Sequence, residues 1–412
     1  MSDAAGCGVD WWGADGQALR RVLADQLHAE LGRLRLGSAG GPPPWLWTDE
    51  TPIGGTPDGI DSLDMLSLSA AVAEMLPEAG LDAPTSARFG AWCDAVASRP
   101  VRPPRSITFR SSGSTGAPRR TTHDLGALER EAAALARLVG ARRRVVSAIP
   151  AHHAYGFIHS VLLPRHLPDA AGRPDVVELR GRAVPQVGGL LRPGDLVLGH
   201  PLFWALLLQG TSGPLPPDIV GITSSAPCPA ETALGLRRIG LARLLQIYGS
   251  AETAGIGWRD DPARPYRLLP GWRRDGGSDD LRRDGLLVPA PDRLAWVGEE
   301  FEVLGRRDGA VQIAGVNVSP EQVGAYLARH PAVGAIAVRP MRPDEGVRLK
   351  AFVVPAGAAG DPVALEAELR RFAAAGLSPA ERPGAYSFGA ALPRNMMGKL
   401  ADWISGEPGG SP

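Results

Sequence analysis

The chain has 412 residues, more than a single compact core usually holds, so two or three domains are expected. Its 44 Lys and Arg balance 44 Asp and Glu, which leaves no net-charge argument for nucleic acid or an anionic membrane as a partner. Three scattered cysteines, Cys7, Cys93 and Cys228, with no CxxC pair, argue against a disulfide framework or a structural zinc site and fit a reducing cytoplasm. The start, MSDAAGCGVDWWG, is neither basic nor apolar, so no signal peptide is expected. The most apolar run, around Leu196 to Leu208, is broken by His200 and Pro201 and is too short to span a bilayer. A soluble, cytoplasmic protein is expected.

Residues 16–36 place Leu19, Val22, Leu23, Leu27 and Leu31 at helical spacing, with charge on the other face. After a Gly/Pro stretch at 37–44, Asp61 is positioned to cap a second helix from Ser62 to about Leu76, and a short third helix falls near Ser86 to Ser98. Beyond Pro103-Pro104 the pattern changes. Short apolar runs at Ile107–Phe109, Val145–Ile149, Leu196–Leu198, Ile219–Ile222 and Leu244–Tyr248 alternate with amphipathic helices, which predicts an α/β unit with buried, mostly parallel strands. From about Arg306 a further unit has its own strands (Ala335–Val338, Lys350–Val354) and helices (Pro320–Arg329, Pro362–Ala375). The expected division is a helical unit over 1–100, a core over 101–306 and a C-terminal α+β unit over 307–412.

Several stretches carry chemistry. In Phe109-Arg-Ser-Ser-Gly-Ser-Thr-Gly-Ala-Pro-Arg-Arg120, Gly113 and Gly116 allow a tight turn and close approach to a ligand. Ser111, Ser112, Ser114 and Thr115 bring hydroxyls, and Arg119 and Arg120 bring positive charge. These are the parts of a phosphate cradle, although no GK[ST] ends it; a Ser/Gly-rich surface loop is the other reading. In Gln246-Ile-Tyr-Gly-Ser-Ala-Glu-Thr-Ala-Gly255, a carboxylate just past a buried strand, beside a glycine and a hydroxyl, suits a magnesium ion that carries triphosphate. His152-His153-Ala-Tyr155-Gly156 fits a pocket wall better than a metal site, because adjacent side chains diverge and no third ligand is evident. In the last unit stand Leu304-Gly-Arg-Arg-Asp-Gly309, Ala314-Gly-Val-Asn-Val318 and Pro393-Arg-Asn-Met-Met-Gly-Lys399.

In this order and spacing these stretches, from about residue 105 to 402, resemble the ANL adenylating superfamily of acyl-CoA synthetases, carrier-protein adenylation domains and luciferases. The resemblance implies an α/β adenylating core with a mobile C-terminal lid, and ATP and Mg2+ as cofactors. It implies that Ser111, Ser112, Gly113, Ser114, Thr115, Gly116 and Arg119 hold the β- and γ-phosphates, with Arg119 where the family usually has lysine. By the same resemblance Tyr248 lies near adenine, Gly249 belongs to the ATP- and phosphate-binding set, Glu252 holds magnesium and Thr253 contacts the α-phosphate. His153 becomes a gate between acid pocket and thiol tunnel, Arg306 a ribose contact, Asp308 the hinge, and Lys399 the lid lysine of the first half-reaction. The family's Gly-Asp pair upstream of the GR motif is missing, and Asp292 is the candidate ribose ligand. The acid pocket is expected from His153, Tyr155, Ser224, Ser225, Ala226, Pro227 and Gly249.

The first hundred residues are fewer than most members carry before the phosphate loop. Gly-Ile-Asp-Ser-Leu-Asp-Met-Leu-Ser-Leu-Ser-Ala-Ala-Val-Ala-Glu-Met-Leu (59–76) resembles the attachment helix of an acyl carrier protein, with Asp61-Ser62-Leu63 as the triplet and Ser62 as the phosphopantetheine site. A capped helix in a carrier-like fold kept as a structural piece is the alternative. The combination resembles the short AMP ligases of aryl polyene and xanthomonadin-type pigment pathways. It implies an aromatic carboxylic acid, a 3- or 4-hydroxybenzoate, activated as acyl-AMP and passed to an acyl carrier protein, with coenzyme A as the alternative acceptor. A carrier or docking protein with a vestigial adenylation portion is the remote alternative.

Overall fold

The computed structural model describes residues 11, 16–35, 41–54, 59–79, 86–98, 103–111, 119–167, 172–276, 278, 280–307, 309–313, 316–342, 344–357, 361–394 and 402–403. The chain divides into two compact units, one of residues 1–111, 120–289 and 296–302, the other of residues 112–119, 290–295 and 303–412.

Helix α1 (Gly16–Leu34) buries the stripe Leu19, Val22, Leu23, Leu27 and Leu31 as its periodicity requires. Its charged face departs from the expectation. Asp25 and Glu30 are 3% and 4% exposed rather than solvated. Buried carboxylates are tolerated only when paired, and both are. Asp25 pairs with Arg180 at 2.7 Å and accepts the Ala151 N–H at 2.7 Å, while Glu30 pairs with Arg110 at 2.9 Å. Helix α1 is thereby tied to the α/β part of the same unit. Helix α2 (Ser62–Met75) starts where its cap predicts: the Asp61 carboxylate accepts from the N–H groups of Leu63 and Asp64, both at 2.8 Å. Helix α3 (Phe89–Ala97) buries Phe89, Trp92 and Val96.

Strands β1 (Ser106–Ser111) and β2 (Arg119–Asp124) form a two-stranded ribbon, and Asp124 caps α4 (Leu125–Val139) through the Ala127 N–H at 2.7 Å. The alternating pattern then runs β3 (Arg144–Ser147), α5 (Ala154–Phe157), β4 (Asp175–Glu178), α6 (Val184–Val187), β5 (Asp195–Gly199), α7 (Pro201–Gly210), β6 (Val220–Thr223), α8 (Ala230–Arg238) and β7 (Arg243–Ser250). His200 and Pro201, which break the apolar run, sit at the junction of β5 and α7. His200 Nδ1 accepts the Phe203 N–H at 3.2 Å, and Pro201 opens the helix where no amide is needed. Antiparallel β8 (Ala254–Arg259) and β9 (Tyr266–Leu268) extend the sheet. A separate meander of β10 (Trp272–Arg274), β11 (Leu281–Arg283) and β12 (Leu286–Val288) follows, then β13 (Asp292–Val297) and β14 (Glu300–Arg306).

The nine strands lie in the order β13-β14-β9-β8-β7-β6-β5-β3-β4, with β4, β3, β5, β6 and β7 parallel. From β3 the chain first steps outward to β4, then returns to β5 on the other side. This reversal puts a topological switch point between the C-terminal ends of β3 and β5, the usual place for a ligand crevice in an open α/β sheet.

In the second unit, the hairpin β15 (Val311–Ile313) and β16 (Val316–Val318) precedes α9 (Pro320–Leu327), whose Ser319 cap accepts from the Gln322 N–H. Strands β17 (Val333–Pro340), β18 (Leu349–Pro355) and β19 (Ala385–Phe388) form one sheet, antiparallel then parallel, and α10 (Pro362–Gly376) crosses between the last two. Val318, Val323, Leu327, Leu349, Val353 and Leu369 make its core, the α+β composition expected of this region. No helix among the described residues is long and apolar enough to cross a membrane.

Candidate functional site

The switch point is built from the segments that follow β3, β5, β6 and β7. After β3 the chain folds back so closely that a Cβ on Gly156 would lie 1.7 Å from Pro150 O, so only glycine fits there. The rings of His152 and His153 stand 3.9 Å apart. Burial first, and then the His153 and Arg180 charges, push His152 well below the usual imidazole range, so it is neutral at pH 7. No group of three His, Cys, Asp or Glu side chains able to hold a metal occurs among the described residues.

The Tyr155 hydroxyl lies 3.0 Å from both Gly199 O and Ile222 O. It ties the end of β5 to β6 and is committed to backbone rather than open to a ligand. Behind it, a π-helical turn at Ile158–Leu162 carries His159, whose Nδ1–H donates to Tyr155 O at 2.8 Å. Burial drives His159 to about 4. Next along the edge, the Ser224 hydroxyl donates to Ile247 O at 2.9 Å and joins β6 to β7. Ser225 holds a left-handed φ of 76°, an unusual conformation for a residue with a side chain and one that clusters at ligand sites. Ser225 and Pro227 are exposed and Ala226 is half-buried.

The turn after β7 is the most constrained part. A Cβ on Gly249 would lie 2.0 Å from Ala254 O, and Ala254 has φ 58°. Thr253 Oγ1 accepts the Ser250 N–H at 3.0 Å, and Ser250 Oγ accepts the Glu252 N–H at 3.2 Å. Thr253 is therefore buried while Glu252 is exposed. Tyr248 packs against Tyr266 and Phe301, with ring centroids 5.7 and 5.4 Å away. Two anchors for this turn went unnoticed in the sequence. His123 Nε2–H donates to Ala251 O at 2.7 Å. Glu131, on α4, accepts the Gly255 N–H at 2.9 Å and pairs with Arg283 at 3.3 Å, which in turn donates to Thr253 O at 3.1 Å. Burial raises Glu131 to about 7 against the pull of Arg283.

A third unforeseen group brackets the predicted phosphate loop. Glu74, on α2, bonds the Arg110 guanidinium at 2.5 and 2.8 Å and Arg120 Nε at 2.8 Å. One carboxylate thus joins the strand entering residues 111–119 to the strand leaving them. The Arg110 hydrogen bonds, and then the Arg110 and Arg120 charges, hold Glu74 below the usual carboxylate range.

In the second unit, Asp292 Oδ1 and Arg306 Nε are 3.9 Å apart on β13 and β14, so the two residues expected at the ribose stand together. Of the remaining predicted residues, Ser111 ends β1 and Arg119 opens β2, exposed. Ser112, Gly113, Ser114, Thr115, Gly116, Asp308 and Lys399 lie outside the described residues. Ser62 is exposed at the first position of α2, next to Leu63 at 71% and Leu66 at 64% exposure. The single exposed carboxylate of Glu252 fits a magnesium ion that arrives with a triphosphate and takes most of its oxygen ligands from it and from water.

The family model for the AMP-binding enzyme C-terminal domain matches residues 322–399. The chain is 38% identical over 390 residues to a 4-coumarate–CoA ligase of Cereibacter sphaeroides, covering 91% of this chain and 90% of that one. It is 38% identical over 402 residues to a 4-coumarate–CoA ligase of Halorhodospira halophila, covering 94% and 99%. Among solved structures, the o-succinylbenzoate CoA synthetase of Bacillus subtilis matches with a TM-score of 0.56 at 21% identity, covering 71% of this chain and 67% of that one, a likeness of fold. These relatives are named for coenzyme A, not for carrier-protein ligases of pigment pathways. The chain belongs to the AMP-binding acyl/aryl-CoA ligase family of the ANL superfamily, and it is an AMP-forming acid–thiol ligase.

Proposed function

We propose that this ligase activates an aromatic carboxylic acid of the 4-hydroxycinnamate class with MgATP and transfers the acyl group to the thiol of coenzyme A. The observation that carries this reading is the 38% identity, over nine-tenths of the chain, to ligases named for 4-coumarate and coenzyme A. It replaces the hydroxybenzoate and carrier-protein expectation, which rests on the helical N-terminal segment in combination with the Ser/Gly-rich loop, the His152-His153 stretch and the small, polar segment 223–229. In the first step a carboxylate oxygen attacks the α-phosphorus and pyrophosphate leaves; in the second a thiolate attacks the acyl carbonyl and AMP leaves. The first step brings two anions together, so fixed cations and N–H donors are needed where charge accumulates.

In this reading residues 111–119 hold the β- and γ-phosphates, and Glu252 binds the magnesium ion, which shields the triphosphate. Thr253 and Tyr248 flank the nucleotide, Asp292 and Arg306 hold the ribose, and Lys399 meets the carboxylate and α-phosphate. Neutral His152 and His153 suit a wall beside an uncharged aromatic ring, and Ser225 to Pro227 line its other side. The test is pyrophosphate release from MgATP over 4-hydroxycinnamate, cinnamate, hydroxybenzoates and fatty acids, with coenzyme A or a phosphopantetheinylated carrier protein as acceptor. 4-Hydroxycinnamate with coenzyme A is the expected best pair. A hydroxybenzoate turned over only with the carrier protein overturns the proposal.

A further inference from the structure

The turn after β7 has its backbone held at every second residue by side chains from elsewhere in the same unit. His123 donates to Ala251 O, Arg283 donates to Thr253 O, and the Gly255 N–H donates to Glu131. The Gly255 carbonyl is taken in turn by the Trp272 indole N–H at 2.7 Å. Glu252 falls between the first two of these holds, with its own N–H on Ser250 Oγ at 3.2 Å. Its backbone is thus fixed on both sides while its side chain is exposed.

Glu131 is the hub of these holds. Its side chain is 2% exposed and that of Arg283 15%. Glu131 Oε1 accepts from Gly255, and Oε2 meets Arg283 Nη2 at 3.3 Å, which leaves Nη1 for Thr253 O. Ala127 O, four residues earlier on α4, also takes Nη2 at 3.0 Å, and the guanidinium stands 5.1 Å from the centre of the Trp272 ring. A Cβ on Gly255 would lie 2.5 Å from Glu131 Oε1, so glycine is what admits the carboxylate. A well-packed apolar pair is often no less stable than a buried ion pair, so stability alone gives little reason for this one. Loss of a buried partner that holds a metal ligand in place typically costs about ten- to a hundredfold in metal affinity. We infer that Glu131, acting through Arg283 and the Gly255 N–H, is a positioning residue that sets the backbone from which Glu252 binds the magnesium ion of MgATP. The inference rests on the reading of Glu252 as the magnesium ligand.

The test measures ATP binding to the full-length enzyme by titration calorimetry, once with magnesium and once with EDTA, with no carboxylic acid substrate present so that nothing turns over. Glu131→Gln and Arg283→Met are compared with wild type and with Glu252→Gln. Glu131→Gln keeps the size of the side chain and an oxygen for the Gly255 N–H but loses the charge that holds Arg283. The titrations are run at pH 8, where a carboxyl raised to about 7 by burial is ionised. The expected result is a Kd in magnesium weaker by about ten- to a hundredfold in Glu131→Gln and Arg283→Met, with the Kd in EDTA at its wild-type value. Glu131→Gln decides the matter should Arg283→Met not fold. Equal weakening with and without magnesium marks a merely structural role and overturns the inference. So do wild-type Kd values in either folded variant while Glu252→Gln loses its magnesium-dependent binding. Wild-type magnesium dependence in Glu252→Gln overturns the magnesium reading itself, and the inference with it.

Discussion

Glu74 is the residue whose removal most directly probes how the helical segment serves the proposed phosphate loop. Its carboxylate bonds Arg110 through two guanidinium nitrogens and Arg120 through one. Exposed pairs contribute about 0.2–1 kcal/mol, and breaking a buried pair costs about 3–5 kcal/mol. The Arg120 side chain is 66% exposed, so its share is small; Arg110 and Glu74 are 25% and 18% exposed, which puts their fork between the limits, at about 2 kcal/mol. Glu74→Ala should therefore lower the melting temperature of this unit by about 5 °C. A Glu74→Ala and Arg110→Met double-mutant cycle, read by urea unfolding, should show a coupling of about 2 kcal/mol. The KM for MgATP should rise several-fold while the KM for the acid stays put, because the ribbon ends then move independently. The folded pKa of Glu74 is depressed, so its contribution is present above about pH 4.5 and is lost as pH falls below that. Additive single mutants with an unchanged KM for MgATP would show that Glu74 does not couple the two strands.

Two further outcomes follow from buried groups at the sheet edge. Glu131 titrates near 7 in the fold against 4.5 unfolded, so the native state holds its proton more tightly. Its contribution is full below about pH 4.5 and is lost as pH rises through 7, a change on the order of 3 kcal/mol. Urea midpoints at pH 5 and pH 8 should fall apart in wild type and converge in Glu131→Gln; parallel behaviour of the two proteins would sink this account. Tyr155→Phe removes the proton shared by Gly199 O and Ile222 O, and Ile222 O keeps the Trp204 indole at 3.3 Å. One carbonyl is left unpaired, a cost of about 1–2 kcal/mol, with the KM for the acid unchanged. A large rise in that KM at full stability would place the hydroxyl on the substrate instead.

Local signals carried the sequence reading where local physics decides structure. Asp61 capping α2, His200-Pro201 punctuating β5 and α7, and the short apolar runs that became β3, β5, β6 and β7 all depend on neighbours a few residues away. The residues that escaped notice act across the chain. Glu131 finds Arg283 at a separation of 152 residues, and Glu74 finds Arg110 at 36. No periodicity marks a helix glutamate as the anchor of a distant turn, and on α1 the same blindness assigned Asp25 and Glu30 to solvent. Tyr155, expected in the pocket beside the histidines, likewise has distant partners for its hydroxyl, two carbonyls that the parallel sheet supplies. The acceptor thiol was beyond reach of motif reading, since the pantetheine arm is common to coenzyme A and carrier proteins.

The Asp25–Arg180 pair also sets a timetable for the nascent chain. The two residues are separated by 155 positions, so at roughly 5–20 residues per second the carboxylate waits about 8–30 s for its guanidinium to be made. Until then α1 can pack on α2 and α3, but its aspartate cannot leave water. The face of α1 that carries Asp25 is thus sealed only after a long stretch of later chain has been made, and the interval is a window for chaperone capture that the finished fold no longer reveals.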